Sequence, residues 1–157
     1  MSRRRQTNRK KPANSGFKTT RLIGKSTNQK AYLKAIRDNQ IVFATGPAGS
    51  GKTHIAAGSA VKMLKAHGVE RICICRPVVG VGKDIGYLPG NMEEKVGPYL
   101  TPLFDELCCY MERSKLRELL DEGGIEIVPL GMMRGRTFNN SFVILDEAQN
   151  ATMVELR

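Results

Sequence analysis

Short apolar runs alternate along this chain with longer amphipathic stretches. The runs are Ile41-Val42-Phe43-Ala44, residues 71–75, Ile125-Glu126-Ile127-Val128 and Phe142-Val143-Ile144-Leu145. Runs of this length bounded by turn residues predict strands, and those apolar throughout predict strands buried on both faces. Between them lie helical patterns. Thr27-Asn28 offers a cap for a helix over residues 29–38, whose apolar face is Tyr32, Leu33, Ala35 and Ile36. Residues 54–67 read as a helix with Ile55, Ala56, Val61 and Leu64 inward, stopped by Gly68. Residues 93–120 are helical in character, kinked early by Pro98 and Pro102 and ended by Gly123-Gly124. Residues 76–91, rich in glycine and holding Pro77 and Pro89, predict a long irregular loop of functional type. Residues 131–140 read as a polar loop. A further helix is expected from Ala151, and the domain is expected to continue beyond Arg157. Strands alternating with helices predict an α/β layer fold with a mostly parallel sheet.

Charge changes the picture at one end. Residues 1–37 carry 12 Lys and Arg and no acid, whereas the rest of the 157-residue chain is close to neutral. Residues 1–20 have almost no apolar side chains before Phe17, so they read as a solvated tail. The expected division is a basic tail over 1–25 and one domain over 26–157. Such asymmetry points to an anionic partner, most often nucleic acid. No apolar run approaches the ~20 residues needed to span a bilayer, and no apolar stretch follows the basic start. Neither a membrane partner nor secretion is expected, and the four cysteines are read as reduced thiols in a cytoplasmic protein.

Candidate chemistry begins where the first apolar run ends. Gly46-Pro47-Ala48-Gly49-Ser50-Gly51-Lys52-Thr53 matches the phosphate-loop pattern G-x-x-x-x-G-K-[ST] in full. It lies between a predicted strand and a predicted helix, the context that gives the pattern its meaning. Glycines let backbone N–H groups close around an anion, and the following helix adds its dipole. Lys52 can reach the β- and γ-phosphates, and Thr53 can place its hydroxyl on Mg²⁺. The run 142–145 then ends in Asp146-Glu147, the acids expected for metal and water beside such a loop. Asp146 would organise Mg²⁺ and Glu147 would orient or activate the attacking water.

Gln29 lies 17 residues ahead of Gly46 on the short first helix. A side-chain amide can pair with the N6 and N7 edge of adenine and so select ATP over GTP. An exposed helical glutamine explains the pattern equally well. No Asn-Lys-x-Asp segment is present to read guanine. The spacings Cys73/Cys75 and Cys108/Cys109 match no zinc pair, so the cysteines are not expected to hold metal. His54 and His67 read as a helix-surface residue and a helix-end residue.

These pieces, in this order, resemble the PhoH family of ATPases. The resemblance rests on Thr27-Asn28-Gln29 with Tyr32, residues 42–53, Arg76-Pro77 and Gly86-Tyr87-Leu88-Pro89-Gly90. It continues through Arg134-Gly135-Arg136-Thr137-Phe138 and Leu145-Asp146-Glu147-Ala148-Gln149-Asn150. It implies a P-loop NTPase fold close to the superfamily 1 helicase core, with ATP hydrolysis and a role in RNA metabolism. The short single-domain layout resembles forms found in bacteriophages. Family members usually continue with a Gly-Asp-x-x-Gln sensor segment and further strands, which residues 26–157 do not contain.

Three places are expected to meet RNA or single-stranded DNA. They are the basic tail, the loop carrying Arg76 and Lys83 at a strand's carboxyl end, and Arg134 with Arg136. One of the last two could serve a neighbouring subunit's γ-phosphate, in a ring or dimer. Gln149 joins these candidates. The expectation is therefore an Mg·ATP-hydrolysing P-loop ATPase coupled to nucleic acid. Its rivals are a nucleic-acid-binding module that holds nucleotide without hydrolysing it, and a small-molecule kinase on the same fold.

Overall fold

The computed structural model describes residues 16–77 and 101–155. Within them the architecture is α/β, as expected. Strands β1 (Arg71–Arg76), β2 (Ile125–Pro129) and β3 (Ser141–Leu145) form a parallel sheet in the order β2-β1-β3. Ile74 stands between Ile127 and Ile144 in the registers of the two pairings. Ile72, Cys73, Ile74 and Cys75 are all fully buried, so the central strand is covered on both faces. That is what an apolar run without alternation requires of a parallel strand.

Helix α1 (Thr27–Asp38) starts two residues earlier than the 29–38 expected from a Thr27-Asn28 cap. Ser26 is the cap: its hydroxyl accepts the Gln29 N–H at 3.2 Å, and the Gln29 side chain accepts the Ser26 N–H in return. This reciprocal box satisfies two otherwise orphaned donors. Helix α2 (Lys52–Lys65) buries every residue from Ile55 to Val61. It closes with His67 in the left-handed region (φ 55), where His67 N–H bonds Leu64 O and Gly68 N–H bonds Met63 O. This pair of bonds is the Schellman closure, built on a histidine rather than the adjacent glycine.

The stretch expected to be one helix over 93–120 is divided. Residues 101–108 are helical, here α3, and α4 (Arg113–Asp121) follows a turn. The break has a tertiary cause. Residues at the turn pair with the N-terminal segment: Lys18 N–H donates to Tyr110 O at 2.8 Å, and Glu112 N–H to Gly16 O at 2.7 Å. Phe17 and Leu22 pack against a core formed by Ala57, Ala60, Ile72, Ile74, Leu103, Leu107, Met111 and Leu116 among others. Part of the segment read as tail is thus applied to the body, while residues 1–15 lie outside the described ones.

Two predicted elements do not form. Residues 41–44 make no strand: Ile41 is 77% exposed and Phe43 90% exposed. An apolar run becomes a buried strand only where a neighbour takes up its N–H and C=O groups, and β3 gives its described pairing to β1 alone. For the same reason β3 is an edge strand among the described residues, with Val143 and Leu145 over a third exposed and only Ile144 buried. After Ala151 there is a turn rather than a helix through residue 155, preceded by a single 3₁₀ turn at Ala148–Asn150. Among the described residues no helix is long and apolar enough to cross a membrane.

Gly58 lets α2 sit closely against the segment after α3. A methyl group there would lie 2.6 Å from Tyr110 Cζ and 2.8 Å from Leu22 Cδ1. Gly58→Ala should therefore lose at least about 1 kcal/mol, because overpacking outweighs the gain in helix propensity. A denaturant midpoint equal to the parent's would contradict this packing.

Candidate functional site

The phosphate loop is shaped by three glycines that a side chain would strain. Gly46, Gly49 and Gly51 have φ of 150°, 72° and 85°. Gly51 caps α2 in the left-handed region with no side-chain hydrogen bond, leaving the helix N-terminal N–H groups to the loop's interior. Lys52 Nζ donates to Gly46 O at 2.7 Å and Pro47 O at 2.9 Å. Ser50 Oγ donates to Pro47 O at 2.8 Å. The ammonium thus lies over the loop in the place an anion's charge would draw it, held by two neutral carbonyls. A phosphate would offer it a charge-assisted bond, about twice as strong as a neutral one.

β3 delivers Asp146 to this loop. Asp146 N–H bonds Cys75 O at 2.9 Å and so extends the β1–β3 ladder by one residue. Its side chain meets α2: Thr53 Oγ1 donates to Asp146 Oδ1 at 3.4 Å, across 93 residues of sequence. A hydroxyl and a carboxylate converging at the end of a phosphate loop are hard oxygen donors, the set suited to Mg²⁺. Glu147 adopts φ 53, ψ 36, a left-handed conformation that costs a non-glycine residue of order 1 kcal/mol or more. Its carboxylate accepts a hydrogen bond from Gln149 Nε2. Gln149 therefore acts on Glu147 here.

Gln29 lies against the loop. Its Nε2 donates to Ser50 O at 3.0 Å and its Oε1 accepts the Lys25 N–H at 2.7 Å. Both ends of the amide serve the cap and the loop in this structure. Tyr32, three residues on, is half-buried; burial, and secondarily the charge of Asp146, raise its phenol above the ordinary value. In the sequence Tyr32 counts as part of the apolar helix face and of the stretch that carries the family resemblance.

The arginines fall in different surroundings. Arg76 is half-buried at the carboxyl end of β1, the end that carries Asp146. Arg134 donates to the Val154 carbonyl. Arg136 pairs with Glu126 on β2 and stacks 5.5 Å from the Phe138 ring centre. That hydrogen bond, above all, raises its pKa further. Lys83 lies outside the described residues. Burial pushes the Cys75 thiol up to about 12 and raises Cys73. Both stay neutral in the strand, in keeping with a packing role.

One constellation had no sequence signal. His54, directly after Thr53, bonds Glu106 of α3 through Nδ1 at 2.6 Å and the Tyr110 hydroxyl through Nε2 at 2.8 Å. The partners are 52 and 56 residues away, so nothing in the local pattern of α2 announces them.

Against known proteins, the family model described as PhoH-like protein matches residues 21–157. A PhoH-like protein of Mycobacterium tuberculosis (strain ATCC 25618 / H37Rv) is 47% identical over 133 residues, covering 85% of this chain and 38% of that protein. A PhoH-like protein of Bacillus subtilis is 44% identical over 133 residues, covering 85% and 42%. Protein PhoH of Escherichia coli K12 is 43% identical over 141 residues, covering 88% and 40%. The chain spans about two fifths of the length of these curated relatives.

Proposed function

The chain belongs to the PhoH-like family, and from that premise we propose that it hydrolyses Mg·ATP and couples the cycle to RNA. Family membership carries the coarser statement, a nucleotide-binding P-loop NTPase. The finer reading rests most on one observation, the approach of Thr53 Oγ1 to Asp146 Oδ1. A phosphate loop alone binds anions. A loop whose closing hydroxyl meets a carboxylate from an adjacent strand also has a seat for the metal that hydrolysis uses.

In this mechanism the loop N–H groups and Lys52 hold the β- and γ-phosphates. Thr53 and Asp146 would hold Mg²⁺, which when bound neutralises charge that develops on the phosphate oxygens. Glu147 orients the attacking water and takes up its proton. The Gln149 amide bonds the Glu147 carboxylate and so limits its rotation. Gln29 holds the Ser50 carbonyl and thereby the loop's shape, and adenine would compete for its amide.

The charge of residues 1–37 supports a polyanionic partner. Arg76 sits where ligands gather on an open parallel sheet, at the carboxyl ends of the strands. Arg134 and Arg136, each held within the chain, would have to exchange those partners to reach a nucleic acid or a neighbouring subunit's phosphate.

The test is phosphate release from ATP by the purified chain in Mg²⁺, without any acceptor, with and without single-stranded RNA. The expected result is Mg²⁺-dependent turnover that RNA accelerates, with RNA affinity that falls steeply as salt rises. ATP binding without phosphate release would overturn the hydrolytic reading. Acceleration by single-stranded DNA but not RNA would overturn the choice of partner.

A further inference from the structure

We propose that His54, Glu106 and Cys109 form a site for a borderline transition-metal dication of the zinc class. One ligand atom of each residue lies within 4.8 Å of the others. Among the described residues no other group of three such side chains comes together. Cys109 follows Glu106 by one helical turn, so α3 and the turn after it supply two donors and α2 supplies the third. The isolated cysteine spacings gave no hint of this, because the remaining donors come from distant residues.

The donor set defines the ion. One imidazole nitrogen, one carboxylate oxygen and one thiol sulfur suit Zn²⁺ or Co²⁺, with water in the fourth place. They do not suit Mg²⁺, which takes oxygen alone. The site is therefore chemically separate from the Thr53–Asp146 pair. His54 is oriented as a metal-bound histidine is, its second nitrogen meeting the Tyr110 hydroxyl at 2.8 Å. Tyr110 itself is buried, and burial pushes its phenol up to about 12. It stays neutral and serves as hydrogen-bond partner rather than as ligand. Access is open: the His54 side chain is 41% exposed, that of Glu106 35%, and Cys109 is at the surface.

In a neutral imidazole with the proton on Nδ1, that N–H would donate to Glu106 and Nε2 would accept from Tyr110. On binding, the thiol proton of Cys109 goes to solvent and the imidazole proton moves to Nε2, which then donates to the Tyr110 oxygen. The Nδ1 lone pair, the thiolate and the carboxylate take the ion. Because His54 follows Thr53, the ion would fasten the first turn of α2 to α3.

The experiment uses Co²⁺ as probe, with the purified chain in excess Mg²⁺. One Co²⁺ per chain is expected, with a thiolate charge-transfer band and the strong visible bands of a four-coordinate site. Zn²⁺ should displace it, and Zn²⁺ binding to the metal-free chain should release one proton per ion, read by calorimetry in two buffers. Cys109→Ser should remove the charge-transfer band and Cys108→Ser should keep it. Tyr110→Phe should weaken binding about 10-fold. Since Cys109 is exposed, its variant should fold as the parent does, which circular dichroism would verify. A band that survives Cys109→Ser, a band lost with Cys108→Ser, or no stoichiometric Co²⁺ binding would each overturn the site.

Discussion

Lys52→Ala is expected to lower kcat/KM for ATP by about 10²- to 10³-fold, the usual loss when one preorganised charge facing a reacting group is removed. Two effects combine. The ammonium that would face the β- and γ-phosphates is gone. So are the bonds from Nζ to the Gly46 and Pro47 carbonyls, which staple the loop in the absence of an anion. Nucleotide affinity should fall along with turnover, and a titration with a fluorescent ATP analogue separates the two. Lys52→Arg should not restore activity, since a planar fork cannot replace a compact ammonium among carbonyls so close together. Near-parental turnover in Lys52→Ala would mean that the phosphates are held elsewhere.

Glu147→Gln is expected to divide binding from chemistry. Nucleotide affinity should stay near the parent's while turnover drops about 10²- to 10⁴-fold, the range for removing a positioned base. The amide keeps the size of the side chain but cannot accept the water's proton. Glu147 offers a second, independent readout, because its backbone is left-handed. Glu147→Gly should be more stable to denaturant than the parent, since glycine adopts that conformation without the Cβ penalty, yet just as inactive as Glu147→Gln. Stability and activity moving in opposite directions is the sign of strain retained for function. An active Glu147→Gln would remove Glu147 from the mechanism and leave the base to be sought elsewhere.

The part of the site that could be read without coordinates is the part whose chemistry is local. Gly46, Gly49 and Gly51 mark backbone conformations, and Lys52-Thr53 follow at a spacing set by a single turn of chain. Asp146-Glu147 were legible because they end an apolar run. The fold class followed from alternation of such runs with helical patterns, and β1, β2, β3 and α2 lie within a few residues of where that pattern puts them. Arg136 shows the limit. As a sequence feature it is one basic residue in a polar loop, free to serve any anion. In the fold it belongs to Glu126, ten residues earlier in the chain and on another element.

Residues 41–44 show the same limit in the core. Their apolar run is as good a strand signal as that of β3, yet Phe43 stands in solvent among the described residues. A strand is a relation between two segments, and hydrophobicity describes only one of them. The division of residues 101–121 into α3 and α4 likewise depends on Gly16 and Lys18 reaching the turn between them. The sequence by itself determined the phosphate-loop pattern, the acids that end the third strand and the layered α/β order. Each depends on conformations and periodicities contained in a few neighbouring residues. Only the tertiary structure decided which apolar run is buried, that Gln29 steadies Ser50, and that His54, Glu106 and Cys109 meet. Those are contacts between segments tens of residues apart, and the packing of the whole chain sets their distances.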